Sequence, residues 1–149
     1  MNVKAFLSQY SDRYEKVREC ERKIERIEAS MYKAADYSMP AHRSVSSDTT
    51  QTIALKLAKA QSDLRSTIIE AEEIRQMIAD KIEEIKSSEL KDLLFARYLL
   101  LFPWEAVNDW MSNNRSNRYD TKHVMMYMHR KALKELETVL KYNNDNGGR

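Results

Sequence analysis

Apolar residues in the first third of the chain recur with the seven-residue spacing that is typical of paired helices. Two heptad positions are apolar almost throughout, with Val3, Tyr10, Val17, Ile24 and Met31 at one and Phe6, Cys20, Ile27 and Ala34 at the other. Only Arg13 interrupts this seam. Pro40 disfavours the α conformation at Met39, so the helix is expected to end nearby. The pattern predicts a helix over residues 2–36.

A second heptad pattern follows a serine-rich segment. Its two apolar positions are held by Leu57, Leu64, Ala71, Ile78 and Ile85 and by Ile53, Ala60, Thr67 and Ile74. Asp48 lies three residues before Gln51, an arrangement like the capping box that begins many helices. The sequence therefore predicts a second helix over residues 49–86 and a loop over residues 37–47.

Each of these helices has only a narrow apolar stripe, which must be covered by another helix because it cannot remain bare in water. A helix of about 35 residues is roughly 50 Å long. The connector is long enough for an antiparallel pairing, while parallel pairing between two chains stays open. Residues 1–87 are predicted to form a long, antiparallel, coiled-coil-like hairpin.

The pattern changes after residue 87, where apolar residues cover a broad surface instead of a seam, as in compact helical clusters. A short helix over residues 104–111 is expected to place Trp104 and Trp110 in the core. The polar, turn-rich segment 112–120 predicts a loop. The sequence thus predicts an all-α protein in which residues 88–142 form a small helical module behind the hairpin.

The last helix of this module is predicted over residues 121–142, with Asp120 or Thr121 as its cap. The apolar residues that it can bury are Val124, Met125, Met128, Ala132, Leu136, Val139 and Leu140. The tail 143–149 is polar and terminal, and it is predicted to be disordered.

Charge is unevenly distributed, although the formal net charge is only +2. Residues 111–134 contain six Lys and Arg against one Asp, a balance of +5, whereas residues 48–87 contain six basic and eight acidic residues, a balance of −2. A polyanion would therefore be attracted to the C-terminal third of the chain.

Cysteine content and hydropathy indicate the compartment. The single cysteine, Cys20, excludes an internal disulfide and is typical of a reducing environment. The longest apolar run, residues 99–104, is far shorter than the roughly 20 residues of a membrane span. Lys4 and Asp12 interrupt the apolar start, so no signal peptide is predicted. We expect a soluble, cytoplasmic protein without a membrane partner.

Enzyme chemistry has little support in the sequence. The only glycines are Gly147 and Gly148, so the interior offers no glycine-rich phosphate loop. His123 and His129 are six residues apart and do not share a helix face as metal ligands at positions i and i+4 would. We predict a protein that is not an enzyme and that has no catalytic residue, cofactor or metal site.

The residues of the C-terminal module follow a known order. Leu93-Leu94-Phe95-Ala96-Arg97-Tyr98 precedes Trp104-Glu105-Ala106-Val107, then Val124 or Met125, then His129-Arg130-Lys131-Ala132-Leu133. This succession resembles the helix-turn-helix of sigma-factor region 4. Together with the hairpin, it is similar to small transcriptional regulators of phages and prophages in Gram-positive bacteria.

The resemblance implies that Arg97 and Tyr98 end a supporting helix, that Trp104 opens the first helix of the motif, and that the helix from Thr121 enters the major groove of double-stranded DNA. Counting the loop cations and Lys131 as phosphate contacts, the predicted DNA-binding residues are Arg115, Arg118, Lys122, His123, Tyr127, Arg130, Lys131 and Lys134. Met126 is a further groove-facing candidate. The hairpin would serve homodimerisation or contact RNA polymerase or another host protein, in the host cytoplasm if the protein is phage-encoded.

Two features depart from the family pattern. Segment 112–120 is longer than the three or four residues of a usual helix-turn-helix turn, and the last helix is unusually apolar over Val124–Met128. Flexible methionines suit adaptable protein contacts. The alternative is a phage-encoded protein-interaction module, an inhibitor or adaptor of a host protein, that has lost DNA reading.

Overall fold

Every regular element is helical in the part of the chain that the computed structural model describes, which is residues 2–36, 47–114 and 119–147. Two long helices, α1 (Val3–Asp36) and α2 (Ser47–Glu83), form an antiparallel hairpin within one chain. A small cluster of three helices follows. The predicted all-α class and antiparallel hairpin are confirmed.

The three helices of the cluster differ in regularity. α3 covers residues 88–99, α4 is Trp104–Asn114, and α5 covers residues 121–146. α3 begins as an α-helix and ends in a π-helical turn, Phe95–Leu99. α5 contains a similar wide turn, Val124–Met128, between two α-helical parts. Such π turns insert one residue into the hydrogen-bonding pattern and change which side chains face the core.

The boundaries of α2 differ slightly from the prediction. α2 begins at Ser47, two residues before its predicted start. It ends at Glu83, because the next two backbone N–H groups donate to carbonyls only three residues back, at 3.2 and 3.0 Å. Three-residue bonds of this kind tighten a last helical turn. Residues 37–46 of the predicted loop lie outside the described residues.

The predicted loop 112–120 is shorter than expected, because α4 continues to Asn114. Residues 115–118 lie outside the described residues. α5 begins at Thr121 as predicted, and the Asp120 side chain accepts a hydrogen bond from the backbone N–H of Lys122 at 3.4 Å. The sequence therefore identified the start of α5 correctly but placed the end of α4 too early.

α5 also extends beyond its predicted end. It continues to Asn146, so the first four residues of the predicted disordered tail are helical. One physical reason is visible at Asn143, whose Nδ2 donates to Glu84 Oε2 at 2.9 Å. This bond is the main cause that lowers the pKa of Glu84. A tertiary contact of this kind is not readable from the polar composition of the tail.

The chain forms two compact units. One is Arg13–Ala71, and the other combines Met1–Asp12 with Glu72–Arg149. The change of sequence pattern placed a boundary at residues 87 and 88, which is the connection between α2 and α3. Packing instead groups the first turns of α1 and the end of α2 with the C-terminal cluster, because these helix ends also contribute apolar residues to its core.

The unit Arg13–Ala71 has a thin seam. Arg13, the polar interruption of the heptads, pairs with Glu70 at 2.9 Å. Cys20 Sγ lies 3.7 Å from Thr67 Oγ1, as expected for two seam positions that face each other. Buried seam side chains are Val17, Ala60 and Ala71, and half-buried ones are Ile24, Ile27, Ile53, Leu57 and Leu64. Two helices alone cannot enclose such a seam.

The other unit has a well-enclosed core. Its largest fully buried side chains are Leu7, Ile78, Ile82, Leu93, Leu94, Val107, Met111, Val124 and Leu136. The two tryptophans expected in the core are only half-buried. Leu101, between α3 and α4, has a φ of 59°. Left-handed residues commonly end helices, and here the next backbone N–H, of Phe102, donates back to the Ala96 carbonyl of α3 at 3.1 Å.

The expected burial of Met125 is wrong, since its side chain is 38 % exposed. The buried residues of α5 lie four apart, at Val124, Met128, Ala132 and Leu136. In a helix of 3.6 residues per turn, a four-residue series drifts around the axis by about 40° per step. The wide turn reduces this drift, keeps the series on the core side and leaves Met125 outside.

Candidate nucleic-acid interface

The predicted DNA-binding residues lie mainly on one helix. Six of them are on α5, and all six side chains are exposed, namely Lys122, His123, Tyr127, Arg130, Lys131 and Lys134. The other two, Arg115 and Arg118, lie outside the described residues. The structure therefore places the described members of the predicted set on a single exposed helical surface, which we call the α5 basic surface.

The opposite side of α5 fixes this surface to the protein. Four buried residues anchor the helix to the core. At its start, Asn108 of α4 donates a side-chain hydrogen bond to Thr121 Oγ1 at 3.0 Å. This bond joins the end of α4 to the first residue of α5 across the connection between them. The exposed cations therefore lie on a helix whose opposite face packs against the core and whose first residue is held by a hydrogen bond.

The cations in the middle of α5 lack acidic partners. In the described part of the chain, no carboxylate forms a salt bridge with Arg130, Lys131 or Lys134. The nearby Glu137 is instead paired with Lys141 at 2.8 Å. This pairing lowers the pKa of the Glu137 carboxyl and raises the pKa of Lys141. The charge of Lys134 contributes to the lowering as well, so Lys134 is partly offset by Glu137. The positive charges of Arg130 and Lys131 remain available to an anionic ligand.

Aromatic rings accompany these cations. Tyr127, 65 % exposed, lines a cavity of about 380 Å³ with Arg130, Lys131 and Lys134. The His123 and Tyr127 rings stack with centroids 5.1 Å apart and planes inclined by 20°. Cations beside flat aromatic surfaces suit the phosphates, sugars and bases of nucleic acids.

Behind the α5 basic surface lies a cluster of cationic and aromatic side chains, the His129 cluster, made of Arg97, Tyr98, Trp104 and His129. His129 Nε2 is 2.7 Å from Tyr98 Oη, and its ring meets the edge of Trp104 at 4.7 Å. The Arg97 guanidinium lies 4.6 Å from the centre of the Trp104 ring and donates to the Phe102 carbonyl at 2.9 Å. These contacts join α3, α4 and α5 at one point.

His129 is electrically neutral at pH 7. Desolvation by burial is the main cause that lowers its pKa from 6.5 to about 4, and the charges of Lys4 and Arg97 act in the same direction. Burial likewise raises the pKa of the Tyr98 phenol. Since a neutral imidazole can pack against aromatic rings at little desolvation cost, His129 is a structural residue that helps to hold α5 in place.

The structure adds Lys4, which the sequence analysis missed as a site residue. It belongs to the first turn of α1 and lines the same cavity as Arg130 and Lys134. Its sequence neighbours carry no basic run and no motif. Only the packing of α1 beside α5 brings it there, so no sequence signal could have found it.

No group of three or more His, Cys, Asp or Glu side chains in the described ranges is arranged to hold a metal ion. Within the same ranges, no helix combines the length and hydropathy needed to cross a bilayer. Comparison with models of known families, with curated proteins and with solved structures finds no match to this chain.

Proposed function

We propose that this chain is a DNA-binding transcriptional regulator of the phage type, with α5 as the helix that meets duplex DNA. The observation that carries the proposal is the row of exposed cations on α5, three of which form no salt bridge with a carboxylate of the described residues. Three of them, Arg130, Lys131 and Lys134, lie within two helical turns. Such side chains bind backbone phosphates and release counterions, which drives association with duplex DNA.

The arrangement of the C-terminal helices supports a helix-turn-helix role. α4 and α5 are consecutive, are tied together by Asn108 and Thr121, and are backed by α3. In helix-turn-helix proteins the second helix lies in the major groove while the first crosses the backbone. By this proposal α5 is the recognition helix, and its first turn presents Lys122 and His123 to base edges.

The test is a salt titration of binding to a labelled duplex, measured by fluorescence anisotropy. Each phosphate contact contributes about 0.9 to the slope of log K against log salt concentration. The variants Arg130→Gln and Lys131→Gln are expected to weaken binding at low salt and to lower the slope by about one each. Lys59→Gln removes one exposed positive charge from α2, in the compact unit Arg13–Ala71, and is the matched control.

If the affinity for DNA changes neither with salt concentration nor with these substitutions, the proposed DNA-binding function is refuted. Equal losses of affinity in Lys59→Gln would show that the binding depends only on net charge. Selection from random duplexes then separates sequence recognition from general affinity, because only a regulator that reads bases enriches a motif. A two-fold symmetric motif with a dimeric mass by light scattering would support a homodimer that binds two half-sites.

A second function is favoured by a different observation. Met125, Met126 and Tyr127 are 38 %, 55 % and 65 % exposed at the start of α5, where a DNA-reading helix usually presents polar side chains. Methionines and aromatics are enriched in protein interfaces. In this alternative, α5 docks onto a host protein such as RNA polymerase, and the chain acts as an inhibitor or adaptor.

One variant separates the two functions. Met126→Ala removes apolar contact area without changing charge, so its effect on a DNA complex is expected to be small. If α5 docks on RNA polymerase, Met126→Ala should weaken capture of purified polymerase, while Lys131→Gln should have the smaller effect. If instead Lys131→Gln loses DNA affinity and Met126→Ala has the smaller effect, the result supports the DNA-binding regulator.

A further inference from the structure

The start of α1 and the middle of α5 line an open surface cavity of about 480 Å³, which lies entirely within one compact unit. Three cationic side chains line it, Lys4 from α1 and Arg130 and Lys134 from α5. Val3 and Leu133 contribute apolar surface. This is a concentration of positive charge from two sequence-distant elements, which a scan of the sequence for basic runs does not reveal.

The only acidic residue that lines the cavity among the described residues is Glu137. Its carboxylate is held by Lys141, with Nζ 2.8 Å from Oε1. The charge of Lys134 also contributes to lowering the pKa of Glu137, so this carboxylate is shared between two lysines. With three cations and one carboxylate, the lining of the cavity is positive on balance. Like charges that converge in this way repel each other in the free protein, so a bound anion would relieve the repulsion.

The position of Lys4 is fixed by its neighbours. The Asn2 side chain accepts a hydrogen bond from the backbone N–H of Lys4 at 2.9 Å, and the Asn2 carbonyl accepts one from Phe6 at 2.9 Å. Phe6 and Leu7 are buried in the core. The backbone that carries Lys4 is therefore anchored, and only its flexible side chain must order when it binds.

We propose that Lys4, Arg130 and Lys134 form one binding site for a backbone phosphate of duplex DNA, so that the first turn of α1 is part of the interface. This inference rests on the proposed DNA-binding function and extends it to a residue on another helix. A phosphate in the cavity would meet cations from both sides, whereas the remainder of the α5 basic surface presents cations from one helix only. The site would fix the register of α5 on the duplex without reading sequence.

The test compares Lys4→Gln, Lys4→Arg and the control Lys59→Gln in the same salt titration, using the full chain and a labelled duplex of random sequence. Lys4→Gln is expected to lower the salt slope by about one and to weaken binding by up to about eightfold at 0.1 M salt. Lys4→Arg keeps the charge and is expected to retain the slope. Thermal unfolding of each variant checks that the fold is retained.

The outcomes distinguish failure of the phosphate site from failure of the proposed DNA-binding function. If the wild-type protein binds DNA with a salt-dependent affinity that Arg130→Gln reduces, but Lys4→Gln behaves like Lys59→Gln, the phosphate site is refuted and the DNA-binding regulator is not. If the wild-type protein does not bind DNA, both the phosphate site and the DNA-binding function are refuted. Should inorganic phosphate raise the melting temperature in a Lys4-dependent way while DNA affinity is unchanged in Lys4→Gln, the site binds a small anion, and the assignment to DNA is overturned.

Discussion

Protonation of His129 is expected to destabilise the C-terminal cluster as the pH falls. The ring is half-buried, its Nε2 lies 2.7 Å from Tyr98 Oη, and Trp104 packs against it. The folded-state pKa of about 4 is below the unfolded value of 6.5. Between these two values the unfolded chain binds more protons than the folded one, so the free energy of unfolding decreases as the pH falls from about 7 towards 4.

The magnitude follows from the two pKa values. At pH 5 a histidine of pKa 6.5 is about 97 % protonated, and one of pKa about 4 is about 9 % protonated. The difference corresponds to a loss of about 2 kcal/mol between pH 8 and pH 5. Because solvent reaches part of the ring and screens the nearby charges, we expect about 1 kcal/mol to be observed.

Urea unfolding at pH 5, 6, 7 and 8 measures this effect. The wild-type protein is expected to lose stability across the range, whereas His129→Gln is expected to be less stable at pH 8 but nearly independent of pH. His123→Gln is the matched control, because His123 is exposed on the same helix. A His129→Gln protein with the wild-type dependence on pH would show that another group carries it, and the account of the cluster would be wrong.

Two further predictions test the packing, one in each compact unit. Leu136→Ala in α5 removes a fully buried side chain and is expected to lower the free energy of unfolding, measured by chemical denaturation, by about 2–5 kcal/mol. Met125→Ala, at a 38 % exposed position, is expected to lower it by less than about 1 kcal/mol. Similar losses in the two variants would contradict the assignment of the buried face of α5. In the hairpin, Arg13→Leu replaces the polar interruption of the seam and is expected to raise the free energy of unfolding by up to about 1 kcal/mol. The reason is that an exposed ion pair contributes little to stability and a half-buried leucine contributes more. A clear loss of stability would show instead that the ion pair between Arg13 and Glu70 fixes the register of the two helices.

Much of the fold was predictable because it is encoded by local and periodic signals. The heptad spacing identified both long helices and their seam positions, among them Cys20 and Thr67, which lie opposite each other in the structure. The start of α5 was predictable because Asp120 is a capping residue whose side chain bonds a backbone N–H only two positions away. Such signals act within one or two helical turns, so they are legible in the sequence alone.

The errors of prediction lie where tertiary packing overrides a local pattern. Met125 is apolar and adjacent to a buried valine, yet the wide turn in α5 rotates it outward. Asn143 is polar and near the terminus, yet its bond to Glu84 accompanies a helix that continues to Asn146. Neither the hydrogen-bonding pattern of a helix turn nor a contact across 59 residues can be read from the neighbouring sequence.

In the candidate interface, too, some features were predictable from the sequence and others depended on tertiary packing. The sequence by itself determined that α5 is basic, because its charges are consecutive members of one helix and helical geometry gathers them. Only the tertiary structure decided that Glu137 is engaged by Lys141, that His129 turns inward, and that Lys4 joins Arg130 and Lys134 around one cavity. The physical reason is that a charge acts through distance in space, and the distance between residues 4 and 130 is set by the packed core beneath them.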